Sequence, residues 1–489
     1  MFSGRILTCG GLLFVLNRVA LPQSADPAQQ IDRFLRRAAT IHQFNGSALI
    51  AEGDRIIYEK AFGEANIEWH VPNTVDTRFD IASMTKPMTA IAIMQLVQEG
   101  KVRLDAPISE YLPFYPRATG DRITVDQLLT HTSGLQQDIG FADDPNNVPA
   151  VVPMVNSDLL SNDSLVKLIA QRPLRFAPGS SYGYSSDGYA VLGAIIEHVT
   201  RTPYWQALKT RVLDPAGMTQ TGVSLLRPIV PKRASGYAQT FAGYENAPHI
   251  GVTPAGGLYA TLRDLRNFDR ALYTTTLVSD DSKSRLFATR SVITAYGWKT
   301  SEERRPNGST RKILRTTGGL PGFANLLVRI PAERRVIILL SNTRDLVWRL
   351  DDFAVAINRI LDGEPYSLPK QSAAEALGEQ LNNGAPGSAI IANFRRMDRD
   401  TANYSVDEAE LNRLGYYALY TLRAPADAIE IFAANATRFP QSANVYDSLG
   451  EAYLASADTA MAIVNYRKSL SLDPTNTNAA TILKRLGVQ

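Results

Sequence analysis

A serine three residues before a lysine is the first pair in this sequence able to do chemistry. The segment runs Arg78-Phe79-Asp80-Ile81-Ala82-Ser83-Met84-Thr85-Lys86-Pro87. On a helix this spacing puts Ser83 and Lys86 on one face, about a turn apart. A serine hydroxyl alone is a weak nucleophile near neutral pH. An amine buried at the positive end of a helix has its charged form disfavoured. Its neutral form can accept the hydroxyl proton, directly or through a neighbour. Backbone N–H groups at the same helix start can face a developing oxyanion. The chemistry would be acyl transfer through Ser83. Alone, Ser-x-x-Lys is a weak signal, because most such pairs are a capping serine and a solvated lysine.

The pair needs elements to hold it. Thr85 to Glu99 has a strong helix pattern closed by Gly100, with Pro87 in the first turn, where proline is tolerated. Gln29 to His42 reads as an amphipathic helix. Gly46 to Ala51 and Arg55 to Tyr58 read as strands around the turn Glu52-Gly53-Asp54. Residues 107–251 are rich in turns and short helices. Asn325 to Ile330 and Val336 to Ser341 read as a hairpin, and Ala354 to Leu361 as helix. Strands at both ends around a helical middle predict an α+β domain whose antiparallel sheet is built from both termini.

Residues 363–390 hold several Gly and Pro and read as a linker. Beyond it Tyr446, Leu449, Gly450, Tyr453, Ala462, Tyr466 and Pro474 fall at the spacing of a 34-residue tetratricopeptide repeat. One period earlier come Leu414, Gly415, Ala428, Phe432 and Pro440, with one extra residue between the helices. Each helical pair buries its apolar face only by stacking on a neighbour. Two repeats need caps, expected from residues 391–410 and a helix near Ala479 to Leu486.

The 489 residues suit two or three domains, and 45 % apolar residues are enough for a sizeable core. A net charge of +3 with no long basic run gives no electrostatic case for nucleic acid. One cysteine excludes an intramolecular disulfide framework. Histidines 42, 70, 131, 198 and 249 show no metal-ligand spacing. Neither metal nor organic cofactor is expected. Residues 1–25 read as a signal peptide: Arg5, then a mostly apolar run Ile6 to Leu16, with Ala25 as the candidate cleavage residue. An exported, periplasmic or secreted protein follows, and no later stretch approaches the length of a membrane helix.

Further runs raise the weight of Ser83. They are Ile123 to Leu135 (ITVDQLLTHTSGL), Pro178-Gly179 with Tyr184-Ser185, Leu192 to Glu197, Pro215 to Thr219, Gly256 to Thr261 and Gly318-Gly319-Leu320-Pro321-Gly322-Phe323. In this order, over roughly residues 30–362, the chain resembles the serine β-lactamase and penicillin-binding-protein superfamily, specifically class C β-lactamase-like serine hydrolases. Leu411 to Tyr416 also resembles tails attached to such hydrolases.

The resemblance implies roles. The family's second motif is Tyr-x-Asn, here Tyr184-Ser185-Ser186, which makes Tyr184 the candidate general base and acid beside Lys86. Ser186 replaces asparagine, and a hydroxyl cannot present a carboxamide's donor and acceptor together. The third motif is Lys-Thr-Gly or His-x-Gly, here Thr316-Thr317-Gly318-Gly319, without the cation. Arg315 is one residue away, and adjacent strand side chains point to opposite faces. Ser186, Thr316, Thr317 and Gly318 are the candidate substrate-binding residues. Backbone N–H groups of Ser83 and Gly319 are the implied oxyanion hole. An ester or uncharged amide suits this site better than a β-lactam carboxylate.

Two rival signals are weaker. Gly179-Ser180-Ser181-Tyr182-Gly183 matches Gly-x-Ser-x-Gly, but Ala177-Pro178 precedes it where a strand is required. His131, among Thr130, Thr132 and Ser133, reads as a hydrogen-bonded loop histidine. The expected organisation is a signal at 1–25, a hydrolase domain at 26–362, the linker at 363–390 and repeats at 391–489. The alternative is a β-lactamase-fold binding protein impaired in turnover. In both, the repeats offer a surface for protein contacts.

Overall fold

The computed structural model describes residues 26–137, 161–249, 252–291, 293–305, 308–344 and 347–488. The segment read as a signal peptide lies outside the described residues.

The central sheet has seven strands: β1 (Gly46–Glu52), β2 (Arg55–Phe62), β3 (Thr294–Ala295), β4 (Trp298–Arg304), β5 (Thr310–Leu320), β6 (Phe323–Ile330) and β7 (Arg335–Ser341). Their order is β3-β4-β5-β6-β7-β1-β2, all antiparallel. β1 joins β7 from the other end of the domain, so both ends do build the sheet. Alternate residues of one strand serve two cores, as the period of 2 requires. Ile338 and Leu340 face the helical middle of the chain. Ile337 and Leu339 face Pro27–Thr40 and Val347–Leu361, two helices that cover the opposite side. The fold is α+β.

The helix Lys86–Gln98 runs through the larger core, with ten of its thirteen residues buried and Pro87 in its first turn. That burial holds Lys86 in place. Beside it lies the helix Ser186–Thr200, started by Ser185, whose side chain accepts the Gly188 N–H. Thr124 and Gln127 form a capping box on the short helix Val125–Leu129.

The expected linker at 363–390 is not extended throughout. Ser372 caps a helix over Ala373–Asn382, and Ala373, Leu377 and Leu381 are buried in the C-terminal helical core. Six further α-helices follow, over 387–399, 408–416, 425–438, 443–455, 459–472 and 477–485. Glycines let successive helices close on aromatic rings. A Cβ on Gly415 would lie 2.4 Å from the Phe432 ring, and one on Gly450 3.1 Å from the Tyr466 ring. The first of these pairs is a residue longer, and a π turn over Tyr417–Thr421 lies within it.

A hairpin, Tyr237–Thr240 with Gly243–Asn246, joins the two parts of the molecule. Phe241 at its tip seats against Gly378 and lies 5.3 Å from the Tyr417 ring. Arg349 adds ion pairs of 2.9 Å to Glu375 and Glu410.

Candidate active site

Ser83 is delivered by a short strand and a sharp turn. Phe79–Asp80 pairs with Tyr259–Ala260, and the Ile81 N–H donates to the Leu258 carbonyl at 2.9 Å. Arg233 and the Ser224 hydroxyl hold the Asp80 carboxylate at 2.9 and 2.5 Å. Ala82 then takes a left-handed φ of +49°. A 3₁₀ turn over Ala82–Thr85 leads directly into the helix that begins at Lys86.

Lys86 is 3 % exposed, beneath the partly exposed Ser83 and Tyr184. Its Nζ donates to Ser83 Oγ at 2.9 Å, Ser186 Oγ at 3.2 Å and the Ala255 carbonyl at 3.0 Å. Three donors meet three acceptors, none of them a carboxylate. The Tyr184 hydroxyl lies 2.8 Å from Ser83 Oγ on another side. The ammonium also sits 4.9 Å from the centre of the Tyr184 ring and 5.7 Å from that of Tyr189. The structure therefore brings together Ser83, Lys86, Tyr184 and Ser186.

The loop carrying Tyr184 is fastened by His131. Its carbonyl accepts the Gly183 N–H at 2.9 Å, and its Nδ1 accepts the Ser185 N–H at 3.2 Å. The imidazole packs 4.6 Å from the Tyr184 ring and 5.2 Å from the Tyr189 ring. Burial, and then the nearby Lys86 charge, push His131 down to about 3. It is hydrogen-bonded in a loop, as the sequence suggests, but that loop belongs to the site. The run His131-Thr132-Ser133-Gly134 was its visible signal. Nothing local in the sequence marks the Ala255 carbonyl as an acceptor for Lys86.

β5 forms the other wall. Its ladder with β4 ends at Lys299↔Arg315, and β5 continues to Leu320 beside the serine-bearing turn. Gly318 is packed so closely that a Cβ would lie 2.0 Å from the Ile81 carbonyl oxygen. Thr316 shares that face and is buried, while Thr317 alternates to the other. Arg315 turns away to Asp351, 3.2 Å distant. Lys312, on the face of Thr316, is bonded to the Phe287 carbonyl. The cation of the third motif is thus not replaced from this strand. Among the described residues no group of three His, Cys, Asp or Glu is placed to hold a metal.

With this geometry in view, the Beta-lactamase family matches residues 31–357. The chain belongs to that family. It shares the fold of the β-lactamase and penicillin-binding-protein serine hydrolases. Penicillin-binding protein 4* of Bacillus subtilis is 28 % identical over 438 residues, 84 % of this chain and 91 % of that one. Esterase EstB of Burkholderia gladioli is 36 % identical over 214 residues, 42 % of this chain and 54 % of that one. The crystal structure of a penicillin-binding protein from Bacillus halodurans superposes with a TM-score of 0.57 at 25 % identity, covering 67 % of this chain and 98 % of that one. Within the described residues no helix is long and apolar enough to cross a membrane.

Proposed function

We propose that this serine-hydrolase-family chain cleaves esters or uncharged amides through an acyl-enzyme on Ser83. The observation that carries the reading is the shared contact of one hydroxyl with an amine and a phenol, at 2.9 and 2.8 Å. Ser83 Oγ attacks the carbonyl carbon as its proton passes to Tyr184 Oη. Tyr184 takes that proton as its phenolate, the form whose negative charge Lys86 stabilises, and so becomes the neutral phenol. The carbonyl oxygen becomes an oxyanion facing the Ser83 and Gly319 N–H groups. Tyr184 gives the proton to the leaving alcohol or amine as the bond breaks. Water then attacks the ester on Ser83, gives a proton to Tyr184, and releases the acid as Ser83 regains its hydrogen.

Substrate choice follows from the far wall. Thr316 offers a hydroxyl where the resemblance places a cation, and the diverted Arg315 supports a preference for uncharged acyl donors. Ser186 in place of asparagine supports esters over amides. Carboxylate-bearing β-lactams are poor substrates in this reading. The class C likeness, export by residues 1–25 and tetratricopeptide character of the C-terminal helices belong to the same proposal. The glycine–aromatic contacts at Gly415 and Gly450 support the repeat reading. Those helices serve protein contacts, and the helical unit begins near Ser372.

The test compares turnover of p-nitrophenyl butyrate and of a chromogenic cephalosporin by the wild type and by Ser83→Ala. Ester hydrolysis that exceeds cephalosporin hydrolysis, and that Ser83→Ala abolishes, supports the reading. Cephalosporin as the better substrate overturns the proposed specificity. Folded protein that hydrolyses neither favours the binding-protein alternative.

A further inference from the structure

Asn325 lies in β6 opposite Gly318 of β5 and is completely buried. Its Nδ2 donates to the Asp80 carbonyl at 2.9 Å and to the Gly318 carbonyl at 3.3 Å. The orientation of the amide is fixed by chemistry: flipped, it would set its own oxygen against two carbonyl oxygens. Its Oδ1 has no hydrogen-bond partner among the described residues. A buried amide oxygen without a donor is unfavourable. What this side chain contributes therefore lies at its NH₂ end.

Each bonded carbonyl leads to one of the two proposed oxyanion donors. The Gly318 carbonyl and the Gly319 N–H belong to one planar trans peptide unit and point opposite ways. Holding that oxygen toward Asn325 aims the Gly319 N–H away from it. The Asp80 carbonyl shares its unit with the Ile81 N–H, which the Leu258 carbonyl holds at 2.9 Å. That unit is fixed at both ends. One left-handed residue later, Ala82 at φ +49°, the chain presents Ser83. We infer that Asn325 is a positioning residue that ties the strand carrying Gly319 to the turn carrying Ser83, and so sets the spacing of the oxyanion donors. This rests on the acyl-transfer reading above.

The consequence is selective. A loosened donor pair weakens the hold on a tetrahedral oxyanion more than the hold on a planar ester. The Ser83–Lys86–Tyr184 contacts do not pass through Asn325. The test uses the full chain with Asn325→Ala and with Asn325→Leu, whose branched shape is close to that of asparagine and which has no donor. For each, kcat and KM with p-nitrophenyl butyrate, inhibition by an arylboronic acid, the pH profile and thermal unfolding are measured. Expected is a fall in kcat/KM of about 10- to 100-fold, matched by boronate affinity. KM stays within about threefold and the pH profile keeps its midpoints. If Asn325→Ala does not fold, Asn325→Leu supplies the comparison. A folded variant with wild-type kcat/KM overturns the inference, as does one in which only KM changes. If the wild type itself turns over no ester and takes no fluorophosphonate on Ser83, the acyl-transfer reading fails and this inference with it. Wild-type turnover with equal turnover by the variants removes only the role of Asn325.

Discussion

The His131 imidazole lies against the Tyr184 phenol, ring centres 4.6 Å apart, while its Nδ1 holds the Ser185 N–H at 3.2 Å. One neutral ring thus backs the phenol that faces Ser83 and pins the backbone just after it. The arrangement tolerates no extra charge, because Lys86 is close and solvent is excluded.

Acid should therefore loosen the fold through His131. Its folded value of about 3 is below the ordinary 6.5. Below pH 6.5 the unfolded chain binds a proton that the folded chain refuses, so stability falls as pH drops from about 6.5 toward 3. Urea unfolding of the wild type and His131→Gln at pH 7 and pH 4 checks this. The wild type should lose about 3 kcal/mol more than the variant over that interval. Parallel losses contradict the placement of a neutral His131.

Removing the phenolic oxygen tests the proton route. Tyr184→Phe keeps the ring against His131 and deletes only the group 2.8 Å from Ser83 Oγ. The expected loss in ester kcat/KM is about 10²- to 10⁴-fold, with unfolding unchanged within about 0.5 kcal/mol. Activity within a few-fold of wild type would assign the proton to Lys86 directly.

The missing cation can be supplied. Thr316→Lys puts an ammonium on the face of β5 that Arg315 avoids. It should raise the ratio of cephalosporin to ester kcat/KM by about 10- to 100-fold, the range of a charge-assisted hydrogen bond. An unchanged ratio would mean that charge on this strand does not control specificity.

Phe241 joins the hydrolase part to the C-terminal helices through Gly378 and Tyr417. Phe241→Ala should weaken their docking by about 2 kcal/mol, less than a fully buried phenylalanine. Calorimetry should show the helical unit unfolding ahead of the rest, and proteolysis should quicken between residues 362 and 372. A single unshifted transition contradicts a docking role.

Much of this was legible along the chain. The helix after Ser83 and the strands β1, β2, β6 and β7 follow from local period and spacing; β5, which orients Arg315, follows from the resembled third motif, and β3 and β4 lie outside those readings. Tyr184 is 101 residues from Ser83, and the resembled second motif, not local period, marks it in the sequence. The helix at 373–382 was hidden by the Gly and Pro residues around it. Its capping signature Ser372-Ala373-Ala374-Glu375 was nevertheless present. His131 reads as a hydrogen-bonded loop histidine, but its burial and its contact with Tyr184 exist only after the chain folds. The same holds for Asn325, the first residue of the strand read over Asn325 to Ile330.

Acylation of Ser83 is read out by peptide mass spectrometry after labelling with a fluorophosphonate. One adduct is expected, on the peptide carrying Ser83, absent in Ser83→Ala and strongly slowed in Tyr184→Phe. A folded wild type with no adduct there, or with label on another serine, contradicts it.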